Sequence, residues 1–270
     1  VPESDSVFTG SIPHVYERLM VPMIFTEPAD SLAEIVAARR PERILETAAG
    51  TGIVTRRLLA ACPDAEIVAT DLNQPMLDRA AELIGDEPRV TYQQADALDL
   101  PFDDLPFDVV ACQFGVMFFP DRRGGFREAG RVLRPGGAFV FNTWDSFATN
   151  DFARIIAGAL NRVAPGPPLD FMERTPHGYF DLARIRDDVE AAGLRIESLE
   201  PVMGTSTAEV GDAAAAYCQG TPWRAEVEAL SGLSLDDATA VARDALAAEY
   251  GEGEISGRTG WFEVVAVPAD

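Results

Sequence analysis

Apolar residues follow two alternating rhythms through the first half of the chain. Short apolar runs recur at residues 43–47, 66–70, 90–93, 108–112 and 138–143, the length expected of buried strands. Segments with helical spacing fall among them. Residues 29–39 place Leu32, Ile35 and Val36 on one face, with Pro41 just beyond. Ile53–Ala61 and Gln74–Ile84 follow, the latter with Pro75 in its first turn, where a missing N–H is harmless. Residues 126–133 form a further helix, which Pro135-Gly-Gly137 should stop. Strands alternating with helices predict an α/β fold: an open, mostly parallel, doubly wound sheet with helices on both faces. Ligands of such sheets bind at the carboxyl ends of the strands.

The rhythm loosens after Trp144. Helical patterns cover 150–163, 182–192, 208–219, 223–230 and 234–250, with Gly251 placed to end the last. Strand patterns cover 194–202 and 261–267. Near the start, a short helical pattern around 12–20 is expected to be interrupted by Pro22 and Pro28. These features predict one domain over 1–270 with its core at 29–144. Residues 1–28, 145–180 and 204–232 are expected to form lid or cap segments.

Composition narrows the partners. Hydrophobic residues make up 47% of the 270 and mean hydropathy is zero, which suits a globular core. No apolar run approaches the ~18 residues of a membrane span. Val1-Pro-Glu-Ser-Asp-Ser has neither the basic nor the apolar region of a signal peptide, so a cytoplasmic location is expected. The net charge of −22 repels a phosphate backbone or an anionic membrane, so neither nucleic acid nor membrane is an expected partner. All 22 basic residues are Arg, which excludes Schiff-base and Walker-lysine chemistry. Cys62, Cys112 and Cys218 are widely spaced, with no CxxC pair, so no metal site or disulfide framework is expected. Oligomeric state stays open, a homo-oligomer included.

The chemistry concentrates at strand ends. Glu46 closes the first strand, and Gly50-Thr-Gly52 makes the turn into a helix. Glycine there lets the backbone approach a ligand closely, beside the free N–H groups of a helix start. Asp71 ends the second strand, twenty-one residues after Gly50, where a carboxylate can accept from two ribose hydroxyls. That much fits a dinucleotide as well. A GxGxxG register aligned on Ala48 and Gly50 would want glycine at 53, where Ile53 stands. An acid at 46 would also crowd a pyrophosphate. S-adenosylmethionine (SAM) carries no phosphate and tolerates it.

Ile-Leu-Glu46-Thr-Ala-Ala-Gly50-Thr-Gly52 resembles motif I of class I SAM-dependent methyltransferases. Asp71-Leu72-Asn-Gln-Pro-Met76 resembles their ribose- and adenine-binding motif. Gln94-Ala95-Asp96-Ala97 resembles the third motif, Phe107 to Phe114 the fourth-strand motif, and Arg131-Val-Leu-Arg-Pro-Gly-Gly137 the turn into the fifth strand. All five occur in order over residues 43–144. The flavour is that of the ubiquinone/menaquinone-type group and related small-molecule enzymes. The resemblance implies a Rossmann-like, seven-stranded sheet with an antiparallel last strand and helical cap insertions. It implies SAM as cofactor, held by Tyr16, Arg18, Glu46, Ala48, Gly50, Gly52, Asp71, Leu72, Met76, Asp96, Ala97 and Gln113. Arg18 would take the cofactor carboxylate, Glu46 its ammonium and Asp96 the adenine amine. One departure is Ala48, where the family's first glycine usually stands. A methyl group is accommodated there if φ stays negative.

The expected reaction is methyl transfer to a C, O or N atom of a small organic acceptor. The alternatives are a SAM-fold binding protein or cyclase without methyl transfer, and an NAD(P)-dependent oxidoreductase. A base is needed only if the acceptor carries a proton at attack. His14 and His177, the two histidines, and Tyr16 are the candidates. Phe114, Met117, Phe118, Trp144 and Tyr179 are expected to line the acceptor pocket, which suits an aromatic or apolar molecule. Gln113-Phe-Gly stands where amino-directed nucleic-acid methyltransferases carry an acidic or polar residue followed by Pro-Pro and an aromatic. The catalytic lysine of the metal-dependent catechol type has no counterpart.

Overall fold

A computed structural model describes residues 2–230 and 232–269. Val1 and Ser231, which fall within the expected cap segments, lie outside the described residues. Seven strands form one sheet: β1 (Arg43–Glu46), β2 (Glu66–Asp71), β3 (Val90–Gln94), β4 (Phe107–Gln113), β5 (Leu133–Trp144), β6 (Leu194–Glu209) and β7 (Glu254–Pro268). Their order is β3-β2-β1-β4-β5-β7-β6. The first five strands run parallel, and β7 pairs antiparallel with both β5 and β6. This is the expected doubly wound, seven-stranded sheet. Ile44, Leu45, Val110, Ala111 and Cys112 are fully buried, because a central parallel strand is covered by helices on both faces.

The chain leaves β1 toward β2 on one side, and β4 lies on the other. Glu46 pairs with both Ala69 and Ala111, Asp71 with Gln94, and Gln113 with Asn142. The register therefore brings Glu46, Asp71 and Gln113 to one edge, at the switch point where α/β sheets hold ligands.

The helices are α1 (Ile12–Val15), a π-helical stretch Tyr16–Phe25, α2 (Thr26–Ala37), α3 (Ile53–Ala61), α4 (Gln74–Ile84), α5 (Arg122–Val132), α6 (Asp151–Val163), α7 (Phe171–Arg174), α8 (Leu182–Ala191), α9 (Val210–Gln219), α10 (Trp223–Ala229) and α11 (Leu235–Tyr250). Three expectations need correction. Pro22 and Pro28 do not interrupt the N-terminal helix. Pro22 lies inside the π-helical stretch, whose wider turn relieves the clash of a proline ring with the preceding carbonyl. Pro28 lies in the first turn of α2, just after the change from π-helical to α-helical turns at Thr26, and the helix runs on through it. Pro135-Gly-Gly137 does not separate helix from strand. β5 already pairs at Leu133 with Phe107, and the next pair is Ala138 with Val109, so the Pro-Gly-Gly segment bulges out of a strand that has begun. Finally, residues 204–209 belong to β6, which pairs with β7 along its whole length, and only 210 onward is helical cap. Burial alternates along this end of β6, but its inward positions are Gly204, Ser206 and Ala208, too small or polar to write the apolar alternation that marks a half-buried strand.

α11 packs on α6 and α9, and α9 also meets the π-helical stretch. The cap is thus one helical layer over the carboxyl edge of the sheet. No helix among the described residues is long and apolar enough to cross a membrane.

Candidate active site

The turn after β1 winds through three left-handed residues: Ala48 (φ 53°), Gly50 (φ 56°) and Gly52 (φ 79°). Ala48 therefore does not keep the negative φ expected of it. Gly52 caps α3. The turn is held from the neighbouring strands: Thr47 N–H donates to Ala111 O and Ala49 N–H to Thr70 O, both at 2.9 Å. Asp71 ties the turn down. Its carboxylate accepts from Gly50 N–H at 2.9 Å and from Asn73 N–H at 2.8 Å. Burial raises its pKa, while these hydrogen bonds favour the ionised form. Asn73 Nδ2 reaches the same carboxylate only at 3.4 Å, a long contact that a ligand's hydroxyl would replace.

A cavity of about 390 Å3 opens against this turn. Ala48, Gly50, Asp71, Leu72, Met76, Asp96, Ala97, Leu98 and Gln113 form one wall. Leu72 is half exposed, an apolar side chain left without a protein cover beside the Asp71 carboxylate. Asp96 orders its own loop by accepting from Leu98 N–H at 2.9 Å. Gln113 donates from Nε2 to Phe25 O at 3.2 Å, and its buried Oε1 has no protein partner. SAM would fit this donor set: Asp71 would take ribose hydroxyls, Leu72, Met76 and Leu98 a base, Asp96 its amine and the Gln113 oxygen an ammonium.

Three expected cofactor residues sit elsewhere. Arg18 is exposed and does not line the cavity; it points to solvent from the π-helical stretch. Gly52 shapes the turn but is not in the wall. Glu46 is buried behind the turn, where it accepts from Thr55 Oγ1 at 2.6 Å. Desolvation, with the nearby Asp71 charge, raises the Glu46 pKa to about 8. An acid raised on folding is protonated in the folded chain while the unfolded chain ionises near 4.5. Stability contributed by protonated Glu46 is therefore complete below pH 4.5 and is lost as pH rises to about 8. Glu46→Gln should flatten that decline in ligand-free protein, measured by denaturant unfolding at a series of pH values.

The other half of the cavity is aromatic. Phe114 and Trp144 stack at 3.6 Å with their planes 4° apart, and Phe25 packs against both, at 5.7 and 5.9 Å. Tyr16 stacks on Phe25 at 5.0 Å. Phe8 bridges Tyr16 and Phe118, and Phe171 follows at 6.5 Å from Phe118. Phe8, Phe25 and Phe171 were not legible as site residues. Phe25 lies in a run apolar on all faces, and nothing in its spacing marks it as different from core.

The N-terminal segment is laced across the cavity mouth. Phe8 N–H donates to Asn73 Oδ1 and Asn73 Nδ2 donates to Ser6 O. Asp5, buried, accepts from Arg174 at 2.8 Å and from Thr175. The lid thus joins the residue next but one to Asp71 with the cap.

The acceptor candidates divide. Phe114, Phe118, Trp144, His177 and Tyr16 line the cavity. Met117 and Tyr179 do not, which corrects their expected placement. Met117 is fully buried under the strand end. Tyr179 donates to Asp188 at 3.2 Å and carries the Arg122 guanidinium 4.3 Å above its ring, so it braces α8. His14 is exposed on α1 and away from the wall.

The fold and the cavity wall together have the form of a nucleoside-cofactor site. Residues 45–141 match the model of the methyltransferase domain family. The demethylmenaquinone methyltransferase of Deinococcus radiodurans is 36% identical over 129 residues, covering 47% of this chain and 54% of that protein. The ubiquinone/menaquinone biosynthesis C-methyltransferase of Dinoroseobacter shibae is 38% identical over 114 residues, covering 41% of this chain and 46% of that protein. The chain thus spans about half the length of the curated relatives it matches. The cyclase SpnF superposes with a TM-score of 0.60 at 19% identity, over 97% of this chain and 95% of that one, a likeness of fold alone. Residues 45–141 thus match a methyltransferase domain, and this part of the chain is similar to methyltransferases of the ubiquinone/menaquinone type.

Proposed function

We propose that this chain transfers a methyl group from SAM to a small, flat, largely apolar acceptor. One observation carries the reading: a single cavity runs from the Ala48–Gly50 turn and Asp71 into the chamber of Phe25, Phe114 and Trp144. Cofactor wall and acceptor wall therefore share one space. Its volume of about 390 Å3 suits small-molecule sites, which run from roughly 300 to 1,000 Å3.

The cofactor supplies a methyl group already activated by a positively charged sulfur. The protein's task is orientation and exclusion of water, worth up to roughly 7–11 kcal/mol in well-aligned reactions. Asp71, Asp96 and Gln113 set the cofactor's position along the strand ends. The stacked Phe114 and Trp144 rings present a flat apolar face, and Phe8 with the π-helical stretch shields the chamber from water. The relatives' names, demethylmenaquinone and ubiquinone/menaquinone methyltransferase, support quinol-like or phenolic acceptors. The charge of −22 disfavours nucleic acid.

The test is incubation with methyl-labelled SAM and a panel of quinols, phenols and amines, alongside calorimetry with SAM and with NAD(P). Label should pass to a flat aromatic acceptor. Cofactor binding without transfer to any acceptor would favour a cyclase or binding protein. Tight NAD(P) binding without SAM binding would overturn the reading.

A further inference from the structure

We propose that the acceptor is a phenol or enol and that His177 Nε2 takes its hydroxyl proton. This rests on the methyltransferase reading above and deepens it. His177 lines the aromatic half of the cavity, 6.1 Å from the Trp144 ring and 4.9 Å from Phe147. Its Nδ1 lies 2.8 Å from the carbonyl oxygen of Asp145. A carbonyl only accepts, so Nδ1 carries the hydrogen and Nε2 carries the lone pair. The ring is thereby fixed in one tautomer and one orientation. Nε2, at the opposite end, has no protein partner and is not among the fully enclosed unpartnered atoms, so it is the end left to the cavity.

The side chains of Asn150 and Thr221, which also line the chamber, are already committed. Asn150 Nδ2 donates to the carbonyls of Asp145, Ser146 and Gly260, and its Oδ1 accepts from Thr259 Oγ1 and Gly260 N–H. Thr221 Oγ1 donates to Tyr217 O and accepts from Trp223 N–H. The two cavity tyrosines, Tyr16 and Tyr217, have pKa values pushed up by burial, so they stay protonated and donate. Among the described residues, His177 is thus the chamber's base in the neutral range. Burial pushes its pKa down to about 4, and Asp145, through its carbonyl and its charge, is the group that opposes the shift. The imidazole is neutral, and Nε2 free to accept, at any pH above that value.

The acceptor O–H bond breaks, its proton passes to the Nε2 lone pair, and the oxygen keeps the bonding electrons. Those electrons, on oxygen or on the conjugated carbon, form the new bond to methyl. The methyl–sulfur pair leaves with the sulfur as S-adenosylhomocysteine, and the imidazolium returns its proton to water. A tertiary amine or an unactivated carbon would leave Nε2 without a donor.

The binding test uses 4-nitrophenol and nitrobenzene, followed by quenching of tryptophan fluorescence, since Trp144 lies beside His177. Wild type should bind the phenol about tenfold more tightly than nitrobenzene, the size of one good hydrogen bond. His177→Ala and His177→Gln should bind nitrobenzene as wild type does and lose most of that preference in the Ala variant. SAM affinity, measured by calorimetry on the same variants, should stay unchanged and reports that they are folded. With an accepted phenol, kcat/KM of wild type should hold level from pH 5 to 8, its acid limb falling near pH 4. Undiminished discrimination in His177→Ala would overturn the inference while SAM binding left the methyltransferase reading intact. Failure of wild type to bind SAM would sink that reading instead.

Discussion

Asp71→Ala weakens SAM binding by about 1–3 kcal/mol, the range for a hydrogen bond to a charged group, or roughly 5- to 150-fold in Kd. The expected loss has two parts. The variant removes the acceptor for the cofactor's ribose hydroxyls. It also frees Gly50 N–H and Asn73 N–H, which Asp71 holds at 2.9 and 2.8 Å, so the turn and the following loop lose their common anchor. Asp71→Asn should fare almost as badly. An amide offers one acceptor oxygen, and its NH2 would face one of those two N–H donors. Calorimetry with SAM reads the effect, and a melting curve separates it from unfolding. Wild-type affinity in both variants would refute the role given to Asp71.

The second large effect concerns Ala48 and Gly115. A Cβ added at Gly115 would lie 2.5 Å from Ala48 Cβ and 2.6 Å from Cys112 Sγ, closer than carbon or sulfur can approach. Gly115→Ala should therefore destabilise the protein by about 1–3 kcal/mol or more, the usual cost of overpacking. Ala48 itself holds φ at 53°, a conformation that costs a residue with a Cβ roughly 1–2 kcal/mol. Ala48→Gly should stabilise by up to that amount. In the double variant part of the Gly115→Ala loss should return, because one of the two clashing atoms has gone while Cys112 Sγ remains. The non-additivity, read by denaturant unfolding, should exceed about 0.5 kcal/mol, the limit for independent sites. Additive effects would show that the two positions do not touch. The pair also accounts for the family's first glycine being dispensable here. The methyl group at 48 fills the space that a side chain at 115 would otherwise occupy.

Much of the wall proposed for the cofactor was legible because its parts are local. Glycines at 50 and 52 read as a tight turn, Ile53 argued against a third glycine, and Asp71 and Asp96 stood at strand ends. Each signal spans a few residues, and backbone geometry makes those residue types necessary. Arg18, Glu46 and His14 went differently. Their types suit the chemistry assigned to them, but side-chain direction depends on packing that no short window contains. Glu46 turned behind the turn to Thr55, and Arg18 and His14 turned to solvent.

The sequence by itself determined the set of buried strands, their alternation with helices and the order of the cofactor motifs. Burial on both faces writes apolar runs, and a tight turn demands glycine, so both leave marks along the chain. Only the tertiary structure completed the acceptor chamber. Phe114, Trp144 and His177 were named from the sequence, but Phe8, Phe25 and Phe171 join them from segments that no period links. The edge strand β6 was read short for a related reason: Gly204, Ser206 and Ala208 take its inward positions, and such small residues write no apolar alternation. Ala48 shows both sides at once. Its identity was visible as a departure from glycine, but its left-handed backbone and its dependence on Gly115 arise from a contact across 67 residues of chain, which only folding brings together.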